Sequence, residues 1–147
     1  MQSITKAVKW RLIILKTGDE VAVLSIHHVS IVVSNTQKSV SFYSDVLGLE
    51  PCHERPELGF PGAWLTVGGQ QIHLLEVENP DPVENRPEHG GRDRHLAMSV
   101  DNLDEIEQVL LNKSIAVSRS RSGRAALFFR DPDGNGVELI QKKSACK

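Results

Sequence analysis

The chain has 147 residues, with 17 Lys and Arg against 19 Asp and Glu, so its formal net charge is −2. This length fits one domain with a substantial core, and the near balance of charge argues against a nucleic-acid partner, which usually requires a basic excess. No apolar run approaches the roughly 20 residues that span a bilayer, so we expect no membrane partner. Two cysteines, Cys52 and Cys146, do not make a disulfide framework, which favours a reducing, cytoplasmic location.

Residues 1–25 form an extension ahead of the patterned part of the chain. They carry Lys6, Lys9, Arg11 and Lys16, with no acidic residue before Asp19. A basic segment without acids is typical of a transit peptide. An extra edge strand, or a tail added by an upstream start codon, would have a similar composition. The sequence leaves the role of this extension open.

The first predicted unit covers about residues 26–78 and begins with a strand followed by a helix. Residues 26–33 are rich in β-branched side chains and alternate as a strand does. Ser34 or Asn35 is placed to cap a helix over 36–47, and Gly48 is placed to end it. Three short strands are then predicted, around 49–54, 63–67 and 71–77.

A second unit, over about 94–141, follows a connection over 79–94 that is rich in Pro, Gly and charge. Its strand over 94–100 leads to Asn102, with Glu105 three residues later, which fits a capping box at the start of a helix. Further strands are predicted near 115–119, 124–130 and 136–141, before a tail of residues 142–147. Both units have the order β-α-β-β-β, so the predicted fold class is α+β.

The two units repeat each other at a nearly constant offset. His28 begins the segment HVSIVV and His95 begins HLAMSV, 67 positions later, while His73 corresponds to Glu138 at an offset of 65. A constant offset across separate segments indicates a duplicated supersecondary unit. It places four side chains that can ligate a metal at two pairs of equivalent positions, which a pseudo-two-fold axis can bring together.

The alternation of side chains along a strand predicts on which face of its sheet each of the four candidates lies. Residues i and i+2 share a face, so His73 lies opposite Ile72 and Leu74, and Glu138 lies opposite Val137 and Leu139. Each candidate therefore points away from the helix of its unit. Imidazole and carboxylate ligands suit Zn, Ni, Fe or Mn, whereas Mg and Ca prefer sites made only of oxygen.

We interpret the other histidines as surface side chains or as side chains held by ordinary hydrogen bonds. His27 has the wrong strand parity to join the four candidates. His53 and His89 have no counterpart in the other unit.

Four motifs give the chain a family resemblance over roughly residues 26–141. They are HVSIVV from His28, SFYSDVLGL from Ser41, RHLAMSVD from Arg94 and FRDPDGNGVEL from Phe129. The chain resembles the vicinal oxygen chelate superfamily, which includes glyoxalase I, bleomycin-resistance proteins, extradiol dioxygenases and fosfomycin-resistance proteins. The resemblance implies two βαβββ modules that form a cupped mixed β-sheet around a divalent metal, with family ligand positions at His28, His95 and Glu138.

The resemblance also implies a function, a metal-dependent lyase or isomerase of the glyoxalase I type. Its substrate would be a small oxygen-chelating molecule, such as a thiol conjugate. The expected catalytic residues are Glu138, a ligand that also carries a proton, and His73, a fourth ligand or the base. His73 stands where bacterial glyoxalase I has a metal-binding glutamate. A homodimer is expected from the family and from open sheet edges, and the sequence does not decide whether one site uses one chain or two.

Four residues are predicted to contact the substrate: Arg94, Arg121, Ser30 and Phe128. The arginines suit an anionic small molecule, although solvated loop charge is the ordinary interpretation. Ser30 matches the fosfomycin enzymes, and Phe128 stands where those enzymes have a tyrosine. Three alternatives remain open, namely an extradiol-type dioxygenase, a fosfomycin-type thiol transferase and a non-enzymatic drug-binding protein. The first two would share the ligands His28, His95 and Glu138, whereas the drug-binding proteins lack that set.

Overall fold

The predicted order of strands and helices is present in a computed structural model that describes residues 13–14 and 20–143. A short strand pair precedes two β-α-β-β-β modules, so the fold class is α+β as predicted. The elements are β1 (Ile13–Ile14), β2 (Glu20–Val21), β3 (His28–Val33), α1 (Thr36–Leu47), β4 (Glu50–Cys52), β5 (Gly62–Val67), β6 (Gln70–Glu76), β7 (His95–Val100), α2 (Leu103–Asn112), β8 (Ser118–Arg119), β9 (Ala126–Arg130) and β10 (Gly136–Gln141). Predictions for the rest of the extension, and for 144–147, lie outside the described residues.

Each module forms its own four-stranded mixed sheet. The strand order is β3-β6-β5-β4 in the first module and β7-β10-β9-β8 in the second. The first and last strands of each module pair in parallel, and the other pairs are antiparallel. Strands β3 and β7 are therefore equivalent edges, each paired on one side only within the described part of the chain.

The helix ends follow the predicted capping residues. The Asn35 side chain accepts a hydrogen bond from the backbone N–H of Lys38 at 2.8 Å, and Asn102 does the same for Glu105 at 3.2 Å. Gly48 ends α1 with a φ of 65°, a left-handed conformation that glycine adopts without a steric penalty. Neither α1 nor α2, the helices of the described chain, is long and apolar enough to cross a membrane.

The core lies between the helices and the inner faces of the sheets. Ile72 and Leu74 of β6 and Val137 and Leu139 of β10 are all buried in one cluster that both modules share. The predicted alternation is therefore confirmed. It leaves the opposite face of each sheet free for polar side chains.

A buried carboxylate in the turn between β9 and β10 joins the second module to the first. Asp131 is 5% exposed, and its Oδ2 accepts hydrogen bonds from the Tyr43 hydroxyl of α1 at 3.0 Å and from Asn135 Nδ2 at 2.9 Å. Its Oδ1 accepts from the backbone N–H groups of Asp133 and Asn135. Asn135 Nδ2 also donates to the carbonyl of Val32 at 3.0 Å. Burial raises the pKa of Asp131, although these hydrogen bonds oppose the shift.

Candidate metal centre

The outer faces of the two sheets carry equivalent rows of side chains. His73 pairs with Ser30 on one side and Trp64 on the other, and Glu138 pairs in the same way with Ala97 and Phe128. The register therefore makes His73 and Glu138 structural counterparts, as the sequence offset indicates.

In the first module, His28 and His73 lie against each other. Their rings stack with centroids 3.9 Å apart, and the other face of His73 stacks on Trp64 at 4.3 Å. Burial lowers the pKa of His73, and the nearby His28, His27 and Arg55 lower it further. A neutral imidazole keeps a lone pair, which metal ligation and proton acceptance both need.

In the second module, His95 and Glu138 form the equivalent pair. His95 Nε2 lies 3.0 Å from Glu138 Oε2, and its Nδ1 lies 2.7 Å from the carbonyl oxygen of Asp93. A neutral imidazole has one N–H, which cannot serve both oxygen acceptors. When Nδ1 donates to Asp93, the lone pairs of Nε2 and Oε2 face each other, an arrangement that a cation or a second proton would satisfy.

The carbonyl that orients His95 is itself held in place. Asp93 Oδ2 accepts hydrogen bonds from Arg86 Nε at 2.9 Å and from Arg130 Nη1 at 2.8 Å. Burial would raise the pKa of Asp93, but the hydrogen bonds from both arginines outweigh it and lower the pKa from 3.8 to about 2. Asp93 is therefore ionised at neutral pH, and its ion pairs fix the backbone next to His95.

A cavity of about 280 Å³ opens onto the second pair, and we call it the Glu138 cavity. Glu138 is 3% exposed, and its second oxygen, Oε1, accepts a hydrogen bond from Arg124 at 3.1 Å. The volume is near the lower end for small-molecule sites. The residues that line it are His89, Gly91, Arg92, His95, Ser120, Arg121, Ser122, Arg124, Phe128 and Glu138.

The predicted substrate contacts fall in two places. Arg121 and Phe128 line the Glu138 cavity. Ser30 and Arg94 instead line a second cavity of about 280 Å³ between the edges of β3 and β7, which His95 also borders. Arg94 forms an ion pair there with Asp81 at 3.0 Å. Its charge is therefore already partly neutralised.

The four candidate ligands form two pairs within one chain. Among residues 20–143, no three His, Cys, Asp or Glu side chains come together in a group that could hold a metal. The sequence offset correctly identifies which residues correspond. The joining of all four at one metal stays a prediction.

Sequence reasoning missed His89, Arg92 and Arg124 as cavity residues. His89 has no counterpart in the first module, because it belongs to the connection between modules. It caps a short 3₁₀ turn by accepting from the backbone N–H of Gly91 at 3.0 Å, and its ring lies 5.2 Å from that of Phe128. The arginines stood out only as part of a local concentration of positive charge.

Gly90→Ala is expected to destabilise this wall of the cavity. A Cβ at Gly90 would lie 2.8 Å from Phe128 Cβ, and the Phe128 ring packs edge-on against His95 with centroids 5.3 Å apart. Overpacking of this kind costs about 1–3 kcal/mol. Urea denaturation measures the loss, with Gly69→Ala as control because a Cβ there meets nothing within 4 Å. Equal stability of the two variants would contradict the packing argument.

Comparisons with known proteins agree with this architecture. The family model of the Glyoxalase/Bleomycin resistance protein/Dioxygenase superfamily matches residues 25–139. Glyoxylase I 4 of Arabidopsis thaliana is 30% identical over 127 residues, which cover 83% of this chain and 73% of that protein. Lactoylglutathione lyase of Salmonella typhimurium is 30% identical over 126 residues, which cover 80% of this chain and 93% of that protein.

Solved structures share the fold. A protein assigned to the glyoxalase family from Bacillus anthracis superposes with a TM-score of 0.67 at 26% identity, covering 82% of this chain and 97% of that one. A fosfomycin resistance protein, FosX, from Listeria monocytogenes, solved with Mn(II), gives a TM-score of 0.65 at 15% identity, covering 82% and 94%. At 15% identity, the similarity to FosX concerns the fold alone.

Proposed function

The chain belongs to the Glyoxalase/Bleomycin resistance protein/Dioxygenase superfamily, and we propose that it is a divalent-metal-dependent lyase or isomerase of the glyoxalase I type. The substrate class is a small molecule with two adjacent oxygen atoms. Membership alone does not choose among the activities in the family's name, so the proposal depends on the residues of the site.

The observation that supports a metal most directly is the contact between His95 and Glu138. When Nδ1 of His95 donates to the carbonyl of Asp93, the lone pair of Nε2 and a carboxylate oxygen of Glu138 face each other at 3.0 Å. His28 and His73 supply further imidazole nitrogens at the equivalent place in the first module. This set of donors fits Ni, Mn, Fe or Zn. FosX, which shares the fold, was solved with Mn(II), one of these metals.

Different residues of the site would perform different parts of the reaction. A bound divalent metal would act as a Lewis acid on the adjacent substrate oxygens. Glu138 would take a proton from one substrate carbon and return it to the neighbouring carbon, while Arg124 holds the other carboxylate oxygen in place. His73, kept neutral by its lowered pKa, would serve as a fourth ligand or share the proton transfer. Phe128 and Trp64 would shield the reacting atoms from water.

We further propose that a second copy of the chain completes each site. Each ligand pair lies on the sheet face opposite the core; His28 is exposed, whereas Glu138 is buried in its cavity. Just ahead of His28, Val23, Leu24 and Ile26 are 79%, 79% and 72% exposed. Exposed apolar side chains next to a sheet edge are typical of an interface. A symmetric dimer can place the first pair of one copy against the second pair of the other.

Elemental analysis of the full-length protein, purified without chelator, tests the metal. We expect a stoichiometric divalent metal, and a raised melting temperature when metal is added back after chelation, because a ligand at a hundred times its Kd stabilises a protein by about 2.7 kcal/mol. His28→Ala should lose the metal, and His53→Ala, a change at an exposed histidine, should keep it. Loss of the metal in His73→Ala would identify His73 as a ligand. Retention of the metal would instead assign His73 the role of a base.

The absence of stoichiometric metal, together with no gain in melting temperature from Ni, Mn, Fe or Zn, would overturn the metalloenzyme proposal. A sedimentation experiment tests the second copy. A monomer that binds metal fully would contradict the shared site.

A further inference from the structure

The two pairs of candidate ligands meet in different ways. In the second module, His95 Nε2 and Glu138 Oε2 approach each other through their polar atoms, at 3.0 Å. In the first module, His28 and His73 meet face to face, with centroids 3.9 Å apart and ring planes inclined by only 10°. The second pair therefore presents two donor atoms to one cation, whereas the first pair is a stack.

Two parallel imidazole rings cannot both bind the same metal ion. The lone pair of an imidazole nitrogen lies in the ring plane, and the bond from nitrogen to zinc is about 2.0–2.1 Å long. Stacked rings lie roughly 3.5 Å apart, the contact distance of their carbon atoms. A cation in the plane of His28 would therefore lie too far from the plane of His73, unless one of the two rings left the stack.

His73 is the ring that its neighbours hold in the stack. Its other face lies on Trp64, with centroids 4.3 Å apart and planes inclined by 9°. Its Nε2 lies 2.9 Å from Oε1 of Gln71, two residues earlier on β6. An amide oxygen only accepts hydrogen bonds, so Nε2 of His73 carries the proton and has no lone pair for a metal. Rotation of this ring would break both stacks and the hydrogen bond.

The neighbours of His28 favour Nε2 as its metal-binding nitrogen. Nδ1 of His28 lies 2.8 Å from Nδ1 of His27. When Nδ1 of His28 donates to His27, Nε2 keeps its lone pair. Nδ1 of His95 lies in the same way against the carbonyl oxygen of Asp93, so the equivalent histidines of the two modules then present the same nitrogen.

We propose that His73 is a positioning residue and not a metal ligand: held by its stack on Trp64 and by its hydrogen bond to the neighbouring amide, it keeps the His28 ring in the orientation that binds the metal. This inference rests on the proposed function and narrows it, because His28, His95 and Glu138 then remain as the protein ligands. Three protein ligands leave positions on the cation for the two adjacent oxygens of the substrate. Nδ1 of His73 keeps its lone pair and can still accept a proton.

His73→Phe separates the two roles, because it keeps a ring that can stack and removes both nitrogens. The Kd of the full-length protein for Ni(II) is measured by competition with a chromophoric chelator. We expect His73→Phe to bind a stoichiometric metal with the Kd of the wild type. His73→Ala, which also removes the ring, should bind a stoichiometric metal with a Kd raised by about 10- to 100-fold, as is usual when an outer partner of a metal ligand is lost.

His28→Phe is the matched control, because it makes the same chemical change at the residue assigned as a ligand and should abolish binding. Loss of the metal in His73→Phe, to the extent seen in His28→Phe, would show that His73 is a ligand and would overturn the proposal. Equal Kd values for His73→Ala and the wild type would also overturn it, since the ring would then have no positioning role.

Proton and nitrogen NMR of the chelated protein tests the same contacts without any metal. We expect the Nε2–H tautomer of His73, and ring-current shifts of the His28 protons that persist in His73→Phe and are reduced in His73→Ala. Gln71→Leu removes the acceptor and should raise the population of the Nδ1–H tautomer. Absence of these shifts in the wild type, or an Nδ1–H tautomer there, would contradict the assigned contacts. Because this sample holds no metal, failure of the metal proposal is distinguishable from failure of the positioning role.

Discussion

Two variants that have each lost the metal are expected to regain it when they are mixed. His28→Ala with His73→Ala removes the ligand pair of the first module, and His95→Ala with Glu138→Ala removes that of the second. Neither variant should bind metal by itself. If each site takes one pair from each of two copies, a mixed dimer contains one complete site and one site without any ligand pair.

Random pairing gives the expected size of the effect. Half of the dimers are mixed, and half of their sites are complete, so about a quarter of the wild-type metal should return. Coexpression of the two variants followed by elemental analysis measures it, and each variant expressed alone is the control. No recovery in a confirmed mixed dimer would contradict the shared site and would favour a site built within one chain.

Asp131→Ala is expected to cause a large loss of stability although it lies away from the candidate metal centre. Its carboxylate accepts four hydrogen bonds, including those from Tyr43 of α1 and from Asn135. Alanine would leave buried donors without partners and would release the turn from the first module. We expect the free energy of unfolding to fall by about 3–4 kcal/mol.

Tyr43→Phe is the matched control, because it removes a single donor to Asp131 and keeps the ring. It should cost about 1 kcal/mol by urea denaturation. In Asp131→Ala, the further change Tyr43→Phe should cost less, since the hydroxyl has already lost its acceptor. Equal costs in both backgrounds would contradict the assigned hydrogen bond.

The contribution of Asp131 to the free energy of unfolding is expected to change with pH in one direction. Burial raises the pKa of Asp131 above its ordinary value of 3.8, so the folded chain binds its proton more tightly than the unfolded chain. The contribution of Asp131 to stability therefore falls as the pH rises from 3.8 through the raised pKa. The difference between wild type and Asp131→Ala should be larger in mild acid than at neutral pH. A difference that grows with pH would contradict the shift.

Much of the architecture was predictable because its causes are local. Capping at Asn35 and Asn102, and the left-handed Gly48, depend on residues within one turn of the helix ends. Strand alternation depends on neighbours two positions apart, so the faces of His73 and Glu138 could be read from their flanking residues. The offset between the two modules can be counted in the sequence without any knowledge of contacts.

The surroundings of the candidate ligands were not predictable in the same way. His89 and Arg92 reach the Glu138 cavity from the connection between modules, where no repeat or periodicity gives a signal. Arg94 and Arg121 look alike in sequence, yet one pairs with Asp81 and the other has no described partner. The difference depends on where separate loops meet, which is a property of packing.

The amino-acid order thus determines the two modules, their helix ends and the equivalence of the ligand positions, because each follows from short-range geometry or from repetition. Only the folded chain decides that His28 meets His73 and His95 meets Glu138 in two separate pairs. It also decides which arginines are neutralised by carboxylates and which face the cavity. These contacts join residues far apart in the sequence, through strand pairing within each module and through loops that meet in space, and no local pattern encodes them.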